Sequence, residues 1–205
     1  MARDLLIATR NREKKAELHE ILADWEFKLV SLDELEGMPE VDEDGDTFAA
    51  NALKKARTMA ELSGLITLAD DSGLMVDALG GAPGIFSARF AGPGCNDADN
   101  NAKLLSLLHE VPEAERTARF VCVIAVAIPG GEAETVEGIC EGRIIASPRG
   151  QKGFGYDPLF IPAGFASTFA ELGEETKNQI SHRGRALQAA KPLLQRLLNT
   201  EGGVC

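Results

Sequence analysis

Residues 120–128 read "FVCVIAVAI", nine consecutive apolar residues, several of them β-branched. A run that is apolar at every position is typical of a strand covered on both faces of its sheet. The "PGG" at 129–131 then predicts a turn that pairs this strand with a second one at about 135–145. A strand buried on both sides needs further elements above and below it, which favours a layered α/β fold.

Helical and extended patterns alternate on both sides of this hairpin. The predicted elements are a strand at 5–8, a helix from Arg12, a helix at 48–62 between a Thr47 N-cap and Gly64, a strand at 65–69, a helix at 97–109, and a last helix from Ser181 that Pro192 bends or restarts near Lys191. The glycine- and proline-rich segment 79–94 is predicted to be ordered, because linkers seldom carry groups such as Ile85, Phe86 and Phe90. We therefore predict one α/β domain over residues 1–205, with a mixed β-sheet flanked by helices.

Composition excludes several classes of partner and location. With 205 residues, 44% of them hydrophobic, and a net charge of -11, the chain can bury a core but lacks the excess of cations that broad binding to nucleic acid or an anionic membrane needs. No uncharged apolar run approaches the roughly 18 residues of a membrane span, and the first residues do not resemble a signal peptide. The cysteines Cys95, Cys122, Cys140 and Cys205 form no zinc or C-x-x-C pattern. We expect a cytoplasmic protein with free thiols.

The start of the first helix carries a possible phosphate site. In "ATRNREK", residues 8–14, a strand turns into a helix whose first backbone N–H groups favour an anion, and Lys14 would add a charge one turn later. The alternative is that Thr9 or Asn11 only caps the helix while Lys14 is solvated.

Two acidic segments could bind a metal ion. Asp70 and Asp71, in "DDSG" after the strand at 65–69, are expected beyond its carboxyl end and on opposite sides of the chain, so that their roles differ. Mg²⁺ bound between such carboxylates and phosphate oxygens would explain the pair, whereas an Asx turn would explain it without a ligand. "VDEDGD", residues 41–46, does not match an EF-hand and is either a second arm of that site or a solvated loop.

Two later segments could bind a nucleobase. "KGFGYDPLF", residues 152–160, combines glycines with aromatic rings that could stack on a base, although a packed hairpin would look similar. "SHRGRAL", residues 181–187, places His182 and Arg183 at a helix start, where cations are disfavoured. Both side chains can donate hydrogen bonds to a carbonyl oxygen, as a 6-keto purine presents and adenine does not.

Together these segments resemble the inosine triphosphate pyrophosphatase family, whose members hydrolyse ITP, dITP and XTP. The matching stretches are "ATRNREK", "TFAANALKKA", "LADDSGLMVDALGGAPGIFSARF", "GFGYDPLF" and "EETKNQISHRGRAL", which follow the family's order over nearly the whole chain. The resemblance implies an elongated mixed sheet with a cleft between two lobes, a homodimer, and Mg²⁺-dependent attack of water that releases a nucleoside monophosphate and pyrophosphate.

The resemblance also implies roles for individual residues. Asp71 would be the base that activates water and a metal ligand, together with Asp70 and with Asp42 or Glu43. The substrate-binding residues would be Thr9, Arg10, Asn11, Arg12, Glu13, Lys14, Lys55, Ser72 and Lys177 for the phosphates, and Phe154, Gly155, Tyr156, Asp157, His182 and Arg183 for the base and sugar.

Three positions depart from the family pattern. Arg10 and Glu13 replace glycines, so their side chains are expected to point outward, and Ala50 replaces a glutamate near the acidic site. Two other functions are compatible with the segments: a related pyrophosphatase acting on modified pyrimidine nucleotides, and a nucleotide-binding sensor without turnover. A sensor would be expected to lose the acidic residues, whereas Asp70 and Asp71 are present.

Overall fold

A computed structural model describes the backbone of residues 3–200 and the side chains of residues 3–196. Strands and helices alternate through most of the chain, as expected for an α/β protein. The elements are β1 (Arg3–Ile7), α1 (Arg12–Leu22), β2 (Phe27–Ser31), α2 (Phe48–Ser63), β3 (Ile66–Val76), α3 (Asp97–Leu107), β4 (Thr117–Ala127), β5 (Ala133–Ile144), β6 (Phe160–Pro162), α4 (Glu174–Ile180) and α5 (His182–Thr200). Cys205 and the "EGGVC" tail lie outside the described residues.

The six strands form one sheet in the order β2-β1-β3-β4-β5-β6. β1 pairs in parallel with β2 and with β3, whereas β5 and β6 are antiparallel. The predicted α/β class with a mixed sheet flanked by helices is therefore confirmed. β4 contains residues 120–127 of the apolar run and is buried at almost every position. β5 follows it after the predicted turn. Among residues 3–200, no helix has both the length and the apolar composition that a membrane crossing requires.

The chain divides into two compact units, and the division falls within β3, β4 and β5. The first unit comprises the residues up to Asp71, Cys122–Gly138 and the residues from Arg183 onward. Its core joins the strands to α1 and α5 through apolar side chains that include Leu5, Ile7, Leu18, Leu22, Leu68, Ile124, Val126, Leu187 and Leu194. This packing fixes α1 and α5 against the strands.

The second unit comprises Ser72–Val121 and Ile139–His182. Its core is rich in aromatic residues, and it includes Leu74, Leu104, Leu108, Phe120, Ile144, Tyr156, Leu159, Phe160 and Phe169. The rings of Phe120 and Phe160 meet edge to face with centroids 4.7 Å apart, an arrangement favoured by the ring quadrupoles. The segment 79–94 is ordered as predicted and contains a short 3₁₀ helix over Gly84–Arg89.

Two predictions about element boundaries are wrong. β3 does not end at residue 69 but continues through Asp70 and Asp71 to Val76, so the aspartates lie inside a strand and the Asx turn is excluded. For the last helix, only the restart is excluded: α5 runs without interruption from His182 to Thr200 with Pro192 inside it, and a bend at Pro192 stays a prediction. α2 agrees closely with its prediction: Thr47 caps its first turn, and Gly64 ends it in the left-handed conformation, with φ 68°.

Candidate active site

Asp70 lies at the centre of a buried network of charges in the first unit. Its Oδ2 atom is 3.2 Å from the Lys14 ammonium and 3.2 Å from Nη2 of Arg183, and the side chain of Asp70 is fully buried. Nη1 of Arg183 donates to Glu17 of α1, so the guanidinium bridges two carboxylates. Burial opposes ionisation of Asp70, but Lys14 and Arg183 outweigh it and hold the pKa of Asp70 well below its usual range. Asp70 is therefore a fixed negative charge.

The predicted phosphate segment caps α1. The Asn11 side chain accepts from the Lys14 N–H at 2.8 Å, and the Thr9 hydroxyl accepts from the Asn11 N–H at 3.3 Å. The prediction that Asn11 caps the helix is thus confirmed. The prediction that Lys14 is solvated is wrong, because Lys14 pairs with Asp70.

The other side chains of this segment are exposed. Arg10, Arg12 and Glu13 all face solvent, and Arg10 donates to the backbone carbonyl of Met38 at 2.6 Å. The outward direction expected for Arg10 and Glu13 is therefore observed. Within this segment, the Lys14 side chain contacts Asp70.

Asp71 has different partners from Asp70, as expected for neighbours in a strand. Its Oδ2 atom accepts a hydrogen bond from the Asn51 side-chain amide at 3.0 Å. Burial raises the pKa of Asp71, and Lys55 and Lys14 only partly offset this effect. The two carboxylates thus separate into a strongly acidic group and a more basic one, and the more basic one is the better proton acceptor.

Lys55 of α2 connects the acidic loop to the aspartates. Its ammonium is 2.6 Å from Glu43 and 2.5 Å from the backbone carbonyl of Asp70. Burial disfavours its charge, yet Asp70 and Glu43 together raise the pKa of Lys55 above its ordinary value, so the ammonium stays charged. Asp42 is exposed, whereas the Glu43 side chain is only one-third exposed. Of these two predicted metal ligands, the structure brings Glu43 to Lys55, next to the aspartates.

The oxygen donors of this region fit Mg²⁺. Mg²⁺ is typically bound by one or two carboxylates, retained waters and substrate phosphates. Glu43 pairs with the Lys55 ammonium, which also acts electrostatically on Asp71, whereas Oδ2 of Asp70 contacts two cations. In the part of the chain with described side chains, no cluster of three His, Cys, Asp or Glu residues is arranged to hold an ion.

Sequence reasoning missed Asn51 and Glu17. Asn51 is fully buried and uses both ends of its amide, since its Oδ1 accepts from the Gly45 N–H at 2.8 Å while its Nδ2 donates to Asp71. It therefore links the acidic loop to the predicted base. A signal was available, because Asn51 is a polar residue next to Ala52 on the predicted helix, and a buried amide needs partners. Glu17 gave no such signal, because charged residues are common on exposed helix faces.

The glycine-rich segment 153–157 is organised around Asp157 in the second unit. The buried carboxylate of Asp157 accepts from the Lys177 ammonium at 2.6 Å and from the Phe154 N–H at 3.0 Å. The Lys177 ammonium lies 5.1 Å from the centroid of the Phe154 ring, within the range of a cation–π contact. Gly153 has φ 73°, and a Cβ there would lie 2.0 Å from Oδ2 of Asp157. The segment is thus an ordered loop whose backbone conformation is fixed by contacts with Asp157.

The remaining predicted residues of the second unit differ in exposure. Tyr156 is buried and its hydroxyl donates to the Ser87 carbonyl at 2.9 Å, so this ring is part of the core. His182 is also buried, and its ring stacks on Phe120 with centroids 4.7 Å apart. Phe154, Gly155 and Ser72 are half-buried. Of the two aromatic residues proposed to stack on a base, Phe154 is the more accessible.

The sequence also matches a known family over almost its whole length. A model of the Ham1 family matches residues 5–193. The chain belongs to the Ham1 family. This Ham1 chain is 56% identical over 193 residues to a Desulforamulus reducens protein named dITP/XTP pyrophosphatase, a match that covers 94% of this chain and 96% of the relative. A Geobacter sulfurreducens protein of the same name is 54% identical over 187 residues, covering 91% of this chain and 94% of the relative.

Solved structures agree with the family assignment. The Ham1 protein of Coxiella burnetii superposes with a TM-score of 0.86 at 41% identity, covering 95% of this chain and 99% of the other. A nucleoside-triphosphatase / dITP/XTP pyrophosphatase from Mycobacterium abscessus gives a TM-score of 0.75 at 48% identity, covering 92% and 99%. The family predicted from the motifs of this Ham1 chain is therefore confirmed.

Proposed function

We propose that this Ham1 chain hydrolyses non-canonical purine nucleoside triphosphates, namely ITP, dITP and XTP, to the monophosphate and pyrophosphate. Relatives at 50–56% identity that carry the name dITP/XTP pyrophosphatase support this activity. The observation that carries the proposal is the environment of Asp71. It is a buried carboxylate of raised pKa, oriented by Asn51 and flanked by Lys55.

Asp71 is the proposed base of the reaction. The oxygen of a water molecule forms a new bond to the α-phosphorus. The bond from this phosphorus to the oxygen that bridges the α and β phosphates breaks, so that pyrophosphate leaves, and Asp71 accepts the proton of the water. Burial raises the pKa of Asp71 in the chain alone, and a bound cation would lower it again. Asn51 holds the carboxylate in place through a hydrogen bond to its Oδ2 atom.

Fixed positive charges would stabilise the phosphates. Lys14, Lys55 and the N-terminal turn of α1, which carries Thr9 and Asn11, supply this potential, and Lys177 does so in the second unit. In this proposal Arg10, Arg12, Glu13 and Ser72 contribute through backbone or peripheral contacts, as the exposed side chains of the first three allow.

Asp71 and Glu43 would hold Mg²⁺, with Asp70 as a neighbouring charge that does not bind the ion directly. When bound, Mg²⁺ neutralises part of the triphosphate and acts as a Lewis acid toward phosphoryl oxygens. This assignment narrows the four ligands expected from the sequence. Asp42 is exposed, and Asp70 is bound to Lys14 and Arg183.

Phe154, Gly155 and Asp157 are the proposed contacts to the base and sugar. The half-buried Phe154 ring can stack on a purine, while Tyr156 supports the loop from the core. His182 and Arg183 remain proposed donors to the 6-keto oxygen. For Arg183 this role competes with its bonds to Glu17 and Asp70. A homodimer and a cytoplasmic location remain predictions of the same proposal.

Substitution of Asp71 by asparagine tests this function. The wild-type chain with Mg²⁺ should release pyrophosphate and dIMP from dITP, and removal of Mg²⁺ with a chelator should stop the release. Asp71→Asn should lower kcat by about 100- to 10,000-fold, the usual contribution of a general base. It should leave the melting temperature unchanged or higher, because the buried charge is removed.

Asp24→Asn is the matched control, because Asp24 is an exposed aspartate of the same unit. It should retain the wild-type kcat. An Asp71→Asn variant with the kcat of the control would remove Asp71 from the mechanism. A wild-type chain that releases orthophosphate in place of pyrophosphate would contradict the reaction type, and one that binds dITP without turnover would favour the sensor.

A further inference from the structure

Two polar side chains of α3 hold Gly155 of the segment 153–157. The Asp97 carboxylate accepts from the Gly155 N–H at 2.6 Å, and the Asn101 amide donates to the Gly155 carbonyl at 2.9 Å. Asp97 and Asn101 are four residues apart on one helix, so their side chains lie one above the other on the same face. Both backbone groups of one glycine are thus bound by one helix.

The glycine held in this way determines the direction of the neighbouring ring. Gly155 has φ 62°, in the left-handed region, and it follows Phe154 directly. The two hydrogen bonds fix the peptide on each side of Gly155, and Asp157 binds the N–H of Phe154. Backbone fixed at three successive points leaves the Phe154 side chain a defined origin and direction.

The capping of the helix does not involve Asp97 or Asn101. Asn96 and Asp99 form the capping box of α3, with reciprocal hydrogen bonds of 3.0 Å. Asn101 also lowers the stability of the folded protein, because its Oδ1 atom is buried without a hydrogen-bond partner among the described residues. An apolar side chain would avoid this unpaired acceptor but would lose the bond to Gly155. The contact with the loop accounts for the polar residue.

We propose that Asp97 and Asn101 are positioning residues that set the Gly155 backbone, and through it the Phe154 ring, for recognition of the purine base. This inference rests on the proposed function, since it assigns base binding to the segment 153–157. The pair does not touch the groups assigned to water activation, so its loss should weaken substrate binding and selectivity more than turnover.

Four variants test the pair. Asp97→Ala and Asn101→Leu each remove one bond to Gly155. Asp97→Asn keeps an acceptor oxygen for the Gly155 N–H and serves as the conservative rescue. Asp99→Ala is the matched control, because it breaks the capping box of the same helix without touching Gly155. Each variant is assayed for kcat and KM on dITP and dATP, for melting temperature, and for amide hydrogen exchange of the peptide containing residues 153–157.

For Asp97→Ala and Asn101→Leu we expect KM for dITP to rise about tenfold, the effect of one hydrogen bond of about 1.4 kcal/mol, with kcat within about twofold of wild type. The preference for dITP over dATP should narrow, and exchange of the segment 153–157 should accelerate. Asp97→Asn should recover most of the wild-type KM. Asp99→Ala should lower the melting temperature while leaving KM, the preference and the exchange of that segment unchanged.

Two results would overturn the pair's role. One is unchanged exchange of the segment 153–157 in Asp97→Ala and Asn101→Leu. The other is an equal loss of kcat/KM on dITP and dATP that grows with the loss of melting temperature from variant to variant, because that pattern marks a purely structural contact. A wild-type chain inactive on dITP would instead refute the proposed function, and the exchange measurement would still decide whether the pair fixes the loop.

Discussion

At the residue scale, the neighbouring aspartates of β3 differ in pKa because they have different partners. Asp70 binds the cations Lys14 and Arg183, which hold its pKa well below its usual range, whereas burial raises the pKa of Asp71. Two like charges next to each other in the chain are thus tolerated because the charge of Asp70 is neutralised by these two cations. The same arrangement makes Asp71 the more basic carboxylate of the pair.

Arg183 is predicted to be essential for the stability of the first unit. Its side chain is only 2% exposed and bridges Glu17 and Asp70, so Arg183→Ala would remove the cation that joins them and leave the buried Asp70 with one fewer counter-charge. Breaking a buried ion pair in this way typically costs about 3–5 kcal/mol. Urea unfolding should show a loss of this size for Arg183→Ala.

Arg57→Ala provides the control, because Arg57 is exposed on α2 in the same unit. Its free energy of unfolding should stay within about 0.5 kcal/mol of wild type, as is usual for surface substitutions. Equal stability of the two variants would mean that the bridge to Glu17 and Asp70 contributes nothing measurable.

At the element scale, the course of the segment 153–157 depends on its two glycines in different ways. Gly153 and Gly155 both have positive φ, of 73° and 62°, but only at Gly153 would a Cβ collide with another group, the Asp157 carboxylate at 2.0 Å. Alanine in the left-handed conformation alone costs about 1–2 kcal/mol. Displacing Asp157 from Lys177 would add to this cost.

We therefore predict that Gly153→Ala destabilises the protein more than Gly155→Ala does, although both lie in the same loop. The melting temperatures of the two variants, measured side by side, check this ranking. The two variants share the conformational cost, so their difference reports the collision with Asp157. A melting temperature for Gly153→Ala equal to or above that of Gly155→Ala would contradict the packing described for the loop.

Elements with long apolar patterns and clear caps could be predicted from the sequence. The apolar run at 120–128 predicted a buried strand of the sheet, and Thr47 and Gly64 predicted both ends of α2. Short elements with little pattern of their own could not: β2, β6 and α4 were missed. β6 has only three residues, so tertiary pairing with β5 decides its conformation.

The end of β3 was mispredicted because two aspartates normally disfavour a strand. Here the cations of α1, α2 and α5 compensate for the charge of Asp70, and Asn51 binds Asp71. Such long-range partners cannot be inferred from local preferences. For the same reason the sequence indicated which residues carry the chemistry, but not that Glu17 and Asn51 position them.

At the scale of the whole molecule, an acidic protein is proposed to bind an acidic substrate. The net charge of -11 describes the chain as a whole, whereas Lys14, Lys55 and Lys177 are local ammonium groups, each within 3.2 Å of a carboxylate. In the proposed function, these ammonium groups and Mg²⁺ would outweigh the repulsion from distant charges, which salt screens beyond about 8–10 Å. The net negative charge also disfavours broad binding to nucleic acid.

The measurement that tests the central claim most directly is kcat/KM of the wild-type chain for dITP and for dATP with Mg²⁺, followed by ³¹P detection of pyrophosphate. We predict that the value for dITP exceeds that for dATP by at least about tenfold, because a site that donates a hydrogen bond to the 6-keto oxygen meets a donor in adenine. Pyrophosphate should appear with the monophosphate. Equal values for the two substrates, or a preference for dATP, would contradict recognition of a keto purine by this protein.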